Sequence, residues 1–431
     1  MRQQPRQLYI LSMAQMLKFF SHYGNRALLV LYMVGAMGLT DKHAFGIYAV
    51  YGGLVELGAA FGGILADRYI GRRRAVMLGA VVIALGHLLM TFGASFYLGL
   101  GAIAVGSLFF STNLFTLLSE YYEKEDSRRE RGFTILYILM NIGALAATML
   151  CSYLAMRLGW HKGFGLAAIG MLFCCALLVY YRTELVEKPR KIDKKGRIWV
   201  FSALPFLLIA SAVLIAYERY SLPILPVITL ALFGYFGYSM RHDTKRIYYL
   251  IALILFLALE EQICTSILLY SERNTTCFLG SGFLISVNPI MIIIAGPLIY
   301  PFSKMIGRFR VPFIFGFLAI AFGIFSSLLL LNIKVSYFGV AALVAAITIG
   351  ELVLTPFIYA LFSEKGSTMA IIPIGYALSA QLGGILSKSL AVEGGLVAYG
   401  VCYAKVSVVL IAITLLALFI RKPVAVSPQT V

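Results

Sequence analysis

Long apolar runs alternate with short polar or basic breaks along the whole chain. Within a run the apolar residues are continuous, not alternating, and each run approaches the ~20 residues that carry a helix across a bilayer. Spans are predicted at 8–37, 44–66, 73–94, 96–121, 132–156, 162–181, 198–216, 222–240, 247–270, 281–301, 311–332, 336–362, 369–389 and 397–420. Backbone groups in hydrocarbon need internal partners, so runs without alternation predict an all-α integral membrane protein, not a barrel. The first run differs from the others. Gln15, Lys18, His22 and Arg26 recur at steps of three or four and share one helical face. A cation near mid-bilayer costs about 2.5–3.5 kcal/mol on insertion scales. The stripe therefore predicts a watery cavity, a counter-charge or a substrate. Lys18 lies well inside the span, which favours the cavity over snorkelling. His22 reads as a proton sensor or as a hydrogen-bonded structural histidine.

The fourteen predicted helices divide at a charged stretch, residues 182–197. Residues 1–181 form one six-helix bundle. Residues 182–245 hold a cytoplasmic linker and two inserted helices, and residues 246–431 form a second six-helix bundle. Two such halves predict the major facilitator fold, with a substrate site between them near the midplane. Gly62-Gly63, Pro289, Pro297, Pro356, Pro373 and Gly383-Gly384 predict bends or breaks inside spans.

Composition adds the environment. The chain is 61% hydrophobic and 13% charged, which excludes a soluble domain. A formal charge of +17 would suit nucleic acid, but its placement argues against that partner. Arg68, Arg72, Arg73 and Arg74 follow the second span, and Lys124, Arg128, Arg129 and Arg131 follow the fourth. Lys188, Arg190, Lys191, Lys194, Lys195 and Arg197 follow the sixth, whereas alternate loops such as Gly93 to Leu98 are poor in cations. This positive-inside pattern predicts a multi-pass protein of a bacterial cytoplasmic (inner) membrane, with both termini cytoplasmic and the basic face on lipid. Cys151, Cys174, Cys175, Cys264 and Cys402 lie in apolar runs and Cys277 near an outer loop. Neither a metal site nor a disulfide framework is expected. The first run is too long for a cleaved signal peptide. No nucleophile–base pair suggests an enzyme, and without a soluble domain or long tail a sensor built on this scaffold ranks low.

The loop after the second span reads Gly63-Ile-Leu-Ala-Asp67-Arg68-Tyr-Ile-Gly71-Arg72-Arg73-Arg74. Asp67 could cap a helix end, while the arginines reach lipid headgroups or helix C-termini. The loop resembles the major facilitator signature with one extra residue before the glycine. That longer spacing is similar to the proton-dependent oligopeptide transporter (POT) family. Phe133-Thr-Ile-Leu-Tyr137, Asn141-Ile-Gly143, Gly159-Trp160-His-Lys-Gly163, Glu261-Gln262, Asn288-Pro289 and Gly350-Glu351 with Pro356 resemble further family stretches. So does the inserted helix pair, a feature of bacterial members.

The resemblance implies a secondary transporter working by alternating access, with di- and tripeptide uptake by proton symport as the default. It implies that Arg26 meets a peptide carboxylate, that Glu351 receives its amino terminus, and that Tyr23 and Asn288 contact the backbone. Glu261 would pair with Arg26 as an outer gate. Asp67, Arg68, Gly71 and Arg72 would be structural. No cofactor is implied beyond protons as the coupling ion, and the unit would be a monomer. This chain departs from the family on helix one. The Glu-x-x-Glu-Arg stretch is replaced by Gln15-Met-Leu-Lys18-Phe19, and the helix-four lysine is lost in Phe110-Ser111-Thr112-Asn113. The tryptophan of span eleven is missing too, since the only tryptophans are Trp160 and Trp199. A new acid, Glu56, stands on helix two. Pairing of Lys18 with Glu56 is expected to replace the lost motif, and Glu56, His22 and Glu261 are the proton candidates. Glu260 is expected to turn toward a loop or helix end, and His87 to be a packing residue. Lys18, His22 and Arg26 also fit an alternative, a carboxylate-rich metabolite or siderophore moved with altered or no proton coupling.

Overall fold

The computed structural model describes residues 3–123, 126, 128–189, 191–277, 280–363, 371–392 and 394–420. Lys124 and Arg190 of the basic clusters lie outside the described residues, as does the side chain of Lys194.

Each apolar run forms a helix. The first half holds α1 (Arg6–Gly35), α2 (Asp41–Leu65), α3 (Arg72–Met90), α4 (Phe96–Ser119), α5 (Arg128–Leu158) and α6 (Trp160–Tyr180). The inserted pair is α7 (Lys194–Ala216) and α8 (Glu218–Gly237). The second half holds α9 (Thr244–Glu260), α10 (Ser266–Asn274), α11 (Val287–Ile306), α12 (Arg310–Leu330), α13 (Tyr337–Ser363), α14 (Ile371–Ser389) and α15 (Leu396–Phe419). A 3₁₀ turn, Glu261–Cys264, joins α9 to α10, so these two are one broken span where the sequence predicts an unbroken one. Twelve of the spans are long and apolar enough to cross a membrane by length and composition. The other two, α1 and α14, fall short of that composition. They carry Gln15, Lys18, His22 and Arg26 on one and Ser379, Gln381, Ser387 and Lys388 on the other.

In the first half α1 packs on α5 and α6, α3 on α4, and α2 on α4. In the second, α12 packs on α15, α11 on α13, and α9 on α14. The halves meet mainly where α2 lies along α14 and α5 along α11. The inserted hairpin straddles this seam. α7 rests on α4, α8 rests on α14 and also on α2. Two contacts fasten α8 to α14. Lys388 Nζ lies 2.8 Å from the buried Glu218 carboxylate, and Gln381 Nε2 donates to Thr229 Oγ1 at 3.0 Å.

The loop after α2 lies at the end of the bundle that carries the basic clusters. Asp67 and Arg68 sit in a π-helical turn, Ala66–Ile70, and Gly71 follows at φ +90°, a left-handed value that favours glycine. Asp67 does not cap α3, whose N-terminus has no side-chain cap. The π turn instead carries its carboxylate to the Arg72 guanidinium, at 2.7 and 2.8 Å. Arg72 also pairs with Glu120 at the end of α4, joining three elements through one side chain. Arg68 stacks on Tyr69, 5.4 Å from the ring centroid. The charged linker docks here as well: Asp193 N–H donates to the Arg68 carbonyl at 3.0 Å, and Lys188 N–H donates to Glu120 Oε2 at 3.1 Å. Arg72→Ala leaves Asp67 and Glu120 facing each other and is expected to cost about 2–3 kcal/mol. Thermal unfolding of purified protein would read this as a midpoint several degrees lower, and an unchanged midpoint would show the cluster to be incidental.

Candidate functional site

The polar stripe of α1 faces the seam between the halves. Arg26 Nη2 lies 2.8 Å from Glu261 Oε2, and Arg26 Nε donates to the Tyr48 hydroxyl at 2.9 Å. Tyr48 in turn donates to Glu261 Oε2 at 2.9 Å. A cation from α1, a phenol from α2 and a carboxylate at the α9–α10 break thus close a three-way contact. Arg26 and Glu261 each keep under a fifth of their side-chain surface exposed, so the pair is largely withdrawn from water. Toward the end opposite the basic clusters, Arg273 holds Asp41 through two hydrogen bonds, at 2.6 and 2.7 Å, and donates to the Tyr399 hydroxyl at 3.2 Å. Both ion pairs join the two halves. At the basic end, none of these ion pairs among the described residues crosses from one half to the other: Arg72 pairs with Asp67 and Glu120, Arg6 with Glu184 of the linker, Arg128 with Asp126, and Arg246 with Asp243 just before α9. The bundle is therefore tied shut at the end away from its basic face.

The break between α9 and α10, in the span that is seventh once the inserted pair is left out of the count, is held by a polar knot. Gln262 Nε2 donates to the carbonyls of Ala258, at 3.2 Å, and Gly383, at 3.0 Å. Its Oε1 accepts from Ser266 and Ser387, both at 3.0 Å, and Thr265 and Ser387 share a 2.8 Å hydrogen bond. These bonds satisfy backbone groups that the interrupted helix would leave bare, and they fix the break on α14. Glu260 and Glu261 sit at the junction.

On the other wall, Asn288 of α11 donates through Nδ2 to Glu351 of α13 at 2.7 Å, with Thr348 Oγ1 at 3.3 Å. Tyr23 presents its ring to Arg26, 5.7 Å from the guanidinium. Tyr23 is also within electrostatic range of Glu351 and Glu260, across the seam from its own helix. Tyr137 of α5 reaches the same two carboxylates, and so does Tyr376 of α14. Six helices, α1, α5, α9, α11, α13 and α14, thus converge on one polar space.

Deeper along α1, Lys18 is buried and its ammonium lies 5.2 Å from the Phe19 ring centroid. The contacts Arg26–Tyr48 and Asn25–Tyr51 set α1 and α2 in antiparallel register, which puts Lys18 level with Glu56. The two are in electrostatic range but form no direct ion pair, contrary to the pairing expected from sequence. The ammonium turns back onto the aromatic ring of its own helix, a cation–π contact. His22 lies edge-on to Tyr23 at 5.6 Å, with Nδ1 buried and unpartnered, and Gln15 is fully buried. His87 is fully buried. Ser111 stands where the resemblance implies a lysine on α4, and two residues on Asn113 ties α4 to α2 by donating to the Gly62 carbonyl at 3.1 Å.

Glu260 does end a helix, as expected from sequence, but that end lies inside the bundle, in range of Glu351 and Glu261, and not at a loop. Residues one apart on a helix diverge by roughly 100°. Here α9 ends at Glu260 and a 3₁₀ turn begins at Glu261, so both stay at the site: Glu261 reaches Arg26 of α1, and Glu260 lies in range of Glu351 of α13. Tyr48 was missed by sequence reasoning, although Tyr48 and Tyr51, three apart on α2, carry a polar aromatic stripe that could have shown it. With Glu260 included, two cations, Lys18 and Arg26, share the space with four carboxylates, Glu56, Glu260, Glu261 and Glu351. The site is acidic in excess, the reverse of what the α1 stripe alone suggests. A polyanion would meet net repulsion here, so the carboxylate-rich alternative loses its electrostatic ground.

Residues 73–224 match the family model described as the POT family. The chain is 28% identical over 326 residues to Dipeptide and tripeptide permease A of Erwinia pyrifoliae, and 29% identical over 328 residues to Dipeptide and tripeptide permease A of Salmonella typhimurium. Each alignment covers 70% of this chain, and the chain spans 66% and 65% of the length of these relatives. Among solved structures, tetrameric PepTSo2 superposes with a TM-score of 0.83 at 23% identity, covering 96% of this chain and 97% of that one. A POT family transporter in complex with 5-aminolevulinic acid gives 0.81 at 24% identity, covering 96% of both chains. These superpositions establish the fold: the helices are arranged as in these solved structures.

Proposed function

We propose that this chain is a POT-family transporter that carries small peptides across the bacterial inner membrane by alternating access, coupled to protons. The observation that supports the reading is that Arg26 of α1 and Glu351 of α13, from different halves of the bundle, come within electrostatic range of each other. A short peptide is a zwitterion and needs a cation at one end and an anion at the other. Arg26 would take the carboxylate and Glu351 the ammonium, with Asn288 and Tyr23 against the backbone. Arg26 is already held by Glu261. A peptide carboxylate must therefore compete with Glu261, and a proton delivered to Glu261 would release Arg26 for it. That exchange links substrate, proton and the closed end of the bundle without the Glu-x-x-Glu-Arg motif.

The acidic excess supports proton coupling. Uncompensated carboxylates in a low-dielectric space are costly, and protons or substrate amines relieve the cost. No further cofactor enters this reading. The positive-inside pattern puts the basic end and the N-terminus in the cytoplasm, so the cavity would open inward. It is lined by residues of a single chain, so a monomer suffices as the transporting unit.

The test is uptake into proteoliposomes. Labelled dialanine is expected to accumulate when the interior is made alkaline, to stop when an uncoupler collapses the gradient, and to ignore excess citrate. Uptake blocked by citrate but not by unlabelled dialanine would sink the peptide reading. Within the same assay, Glu56→Gln is expected to flatten the response of uptake rate to external pH, because it removes the carboxylate level with Lys18. An unchanged pH profile would remove Glu56 from the coupling route.

A further inference from the structure

The zwitterion clamp leaves one charge in the cavity unused. Glu260 ends α9 at the break in span seven, and its Oε2 is buried with no hydrogen-bond partner. The charged groups in its range are Glu351, Glu261 and Arg26. Arg26 cannot serve it fully, because that guanidinium is spent on Glu261 and Tyr48. Glu351 repels it and has its own donor in Asn288. Two carboxylates facing one apolar-walled space make a strong trap for a cation, and a single α-ammonium meets only one of them. The phenol groups of Tyr23, Tyr137 and Tyr376 lie in electrostatic range of Glu260, and tyrosine rings attract cations that approach their faces.

We propose that Glu260 is a specificity-determining residue that adds a second cation subsite beside Glu351, so that the protein prefers peptides with lysine or arginine as the first residue. The proposal rests on the peptide reading. Glu351 holds the α-ammonium, and the flexible four-carbon stem of lysine swings its own ammonium to Glu260. The neutral side chain of an alanine leaves Glu260 without a partner.

The experiment compares Lys-Ala with Ala-Ala in proteoliposomes, read as the ratio of their uptake rates so that a general loss of activity cannot imitate the result. Wild type is expected to favour Lys-Ala by roughly tenfold, the value of one added charge-assisted hydrogen bond. Glu260→Gln is expected to bring the ratio near one. A ratio equal in wild type and variant overturns the proposal, even if the pH profile moves, since Glu260 would then be a proton site only. A second measurement is independent of transport. 1,5-Diaminopentane is titrated into purified protein by calorimetry. Binding by wild type that weakens by roughly tenfold in Glu260→Gln supports the subsite, and absent or equal binding in the two overturns it. If neither peptide enters wild-type vesicles, the transport reading fails, and the diamine titration still decides the subsite.

Discussion

Arg26→Ala is expected to lower dialanine uptake by at least about a hundredfold, the largest effect of any single change in the cavity. Arg26 has two duties that both depend on its fork. It closes the far end through Glu261 and Tyr48, and in the peptide reading it supplies the cation for the substrate carboxylate. Removing one partner of a buried ion pair costs about 3–5 kcal/mol, and each 1.4 kcal/mol is tenfold. Arg26→Lys keeps the charge but not the geometry, since an ammonium is a point charge and cannot span Tyr48 and Glu261 as a planar guanidinium does. It is expected to recover only part of the loss. Glu261→Gln added to Arg26→Ala should cost little more, because the partner it served is gone. The measurement is initial uptake of labelled dialanine by all three variants, with thermal unfolding to confirm that each is folded. Uptake by Arg26→Ala within twofold of wild type would refute the role.

Much of the architecture could be read from the chain because the bilayer imposes it. Continuous apolar runs permit only helices, and the basic breaks count and orient them. The break in span seven was not legible. Residues 247–270 contain no glycine or proline, and what stabilises the interruption is Gln262 reaching Gly383 and Ser387, over a hundred residues away. Local pattern carries no trace of such a bond. The Arg26–Glu261 contact was legible through family resemblance. The Lys18–Glu56 contact was expected from charge alone, and charge did not decide it: Phe19 supplies a nearer surface for the ammonium. Glu260 shows the remaining limit. Adjacent residues on a regular helix point apart, so sequence sent one of two neighbouring acids away from the site. The helix stops at Glu260 and a 3₁₀ turn starts at Glu261, so the divergence of a regular helix does not apply between them, and that break depends on contacts between distant helices. The electrostatic sign of the site changed with it. A stripe of cations on α1 suggested an anionic cargo until the acids of α2, α9, the break and α13 were brought opposite.

Gly384→Val is expected to hold the closed end of the bundle apart. Gly384 lies on α14 where that helix runs along α2. A Cβ placed there would overlap the Ala49 methyl and lie 3.0 Å from the Ala49 Cα and 3.3 Å from the Phe45 carbonyl oxygen. Two of these atoms are backbone, which no rotamer change can move. The added bulk must therefore push α2 and α14 apart or shift one along the other. Overpacking of this kind costs about 1–3 kcal/mol. The contacts near this seam, Arg26–Glu261 and Asp41–Arg273, are the ones that a separation would strain first. Transport needs that seam to open and close in turn, so a variant biased open should lose uptake while still folding. Spin labels at Lys42→Cys and Ser389→Cys, both exposed at this end, read the seam once the half-buried Cys175, Cys277 and Cys402 are replaced by alanine. Electron–electron distance measurements are expected to gain a longer population in Gly384→Val and a smaller gain in Gly384→Ala. A distance distribution unchanged by valine, with a lowered unfolding midpoint, would mean that the helices repack in place and that this close approach does not govern the opening.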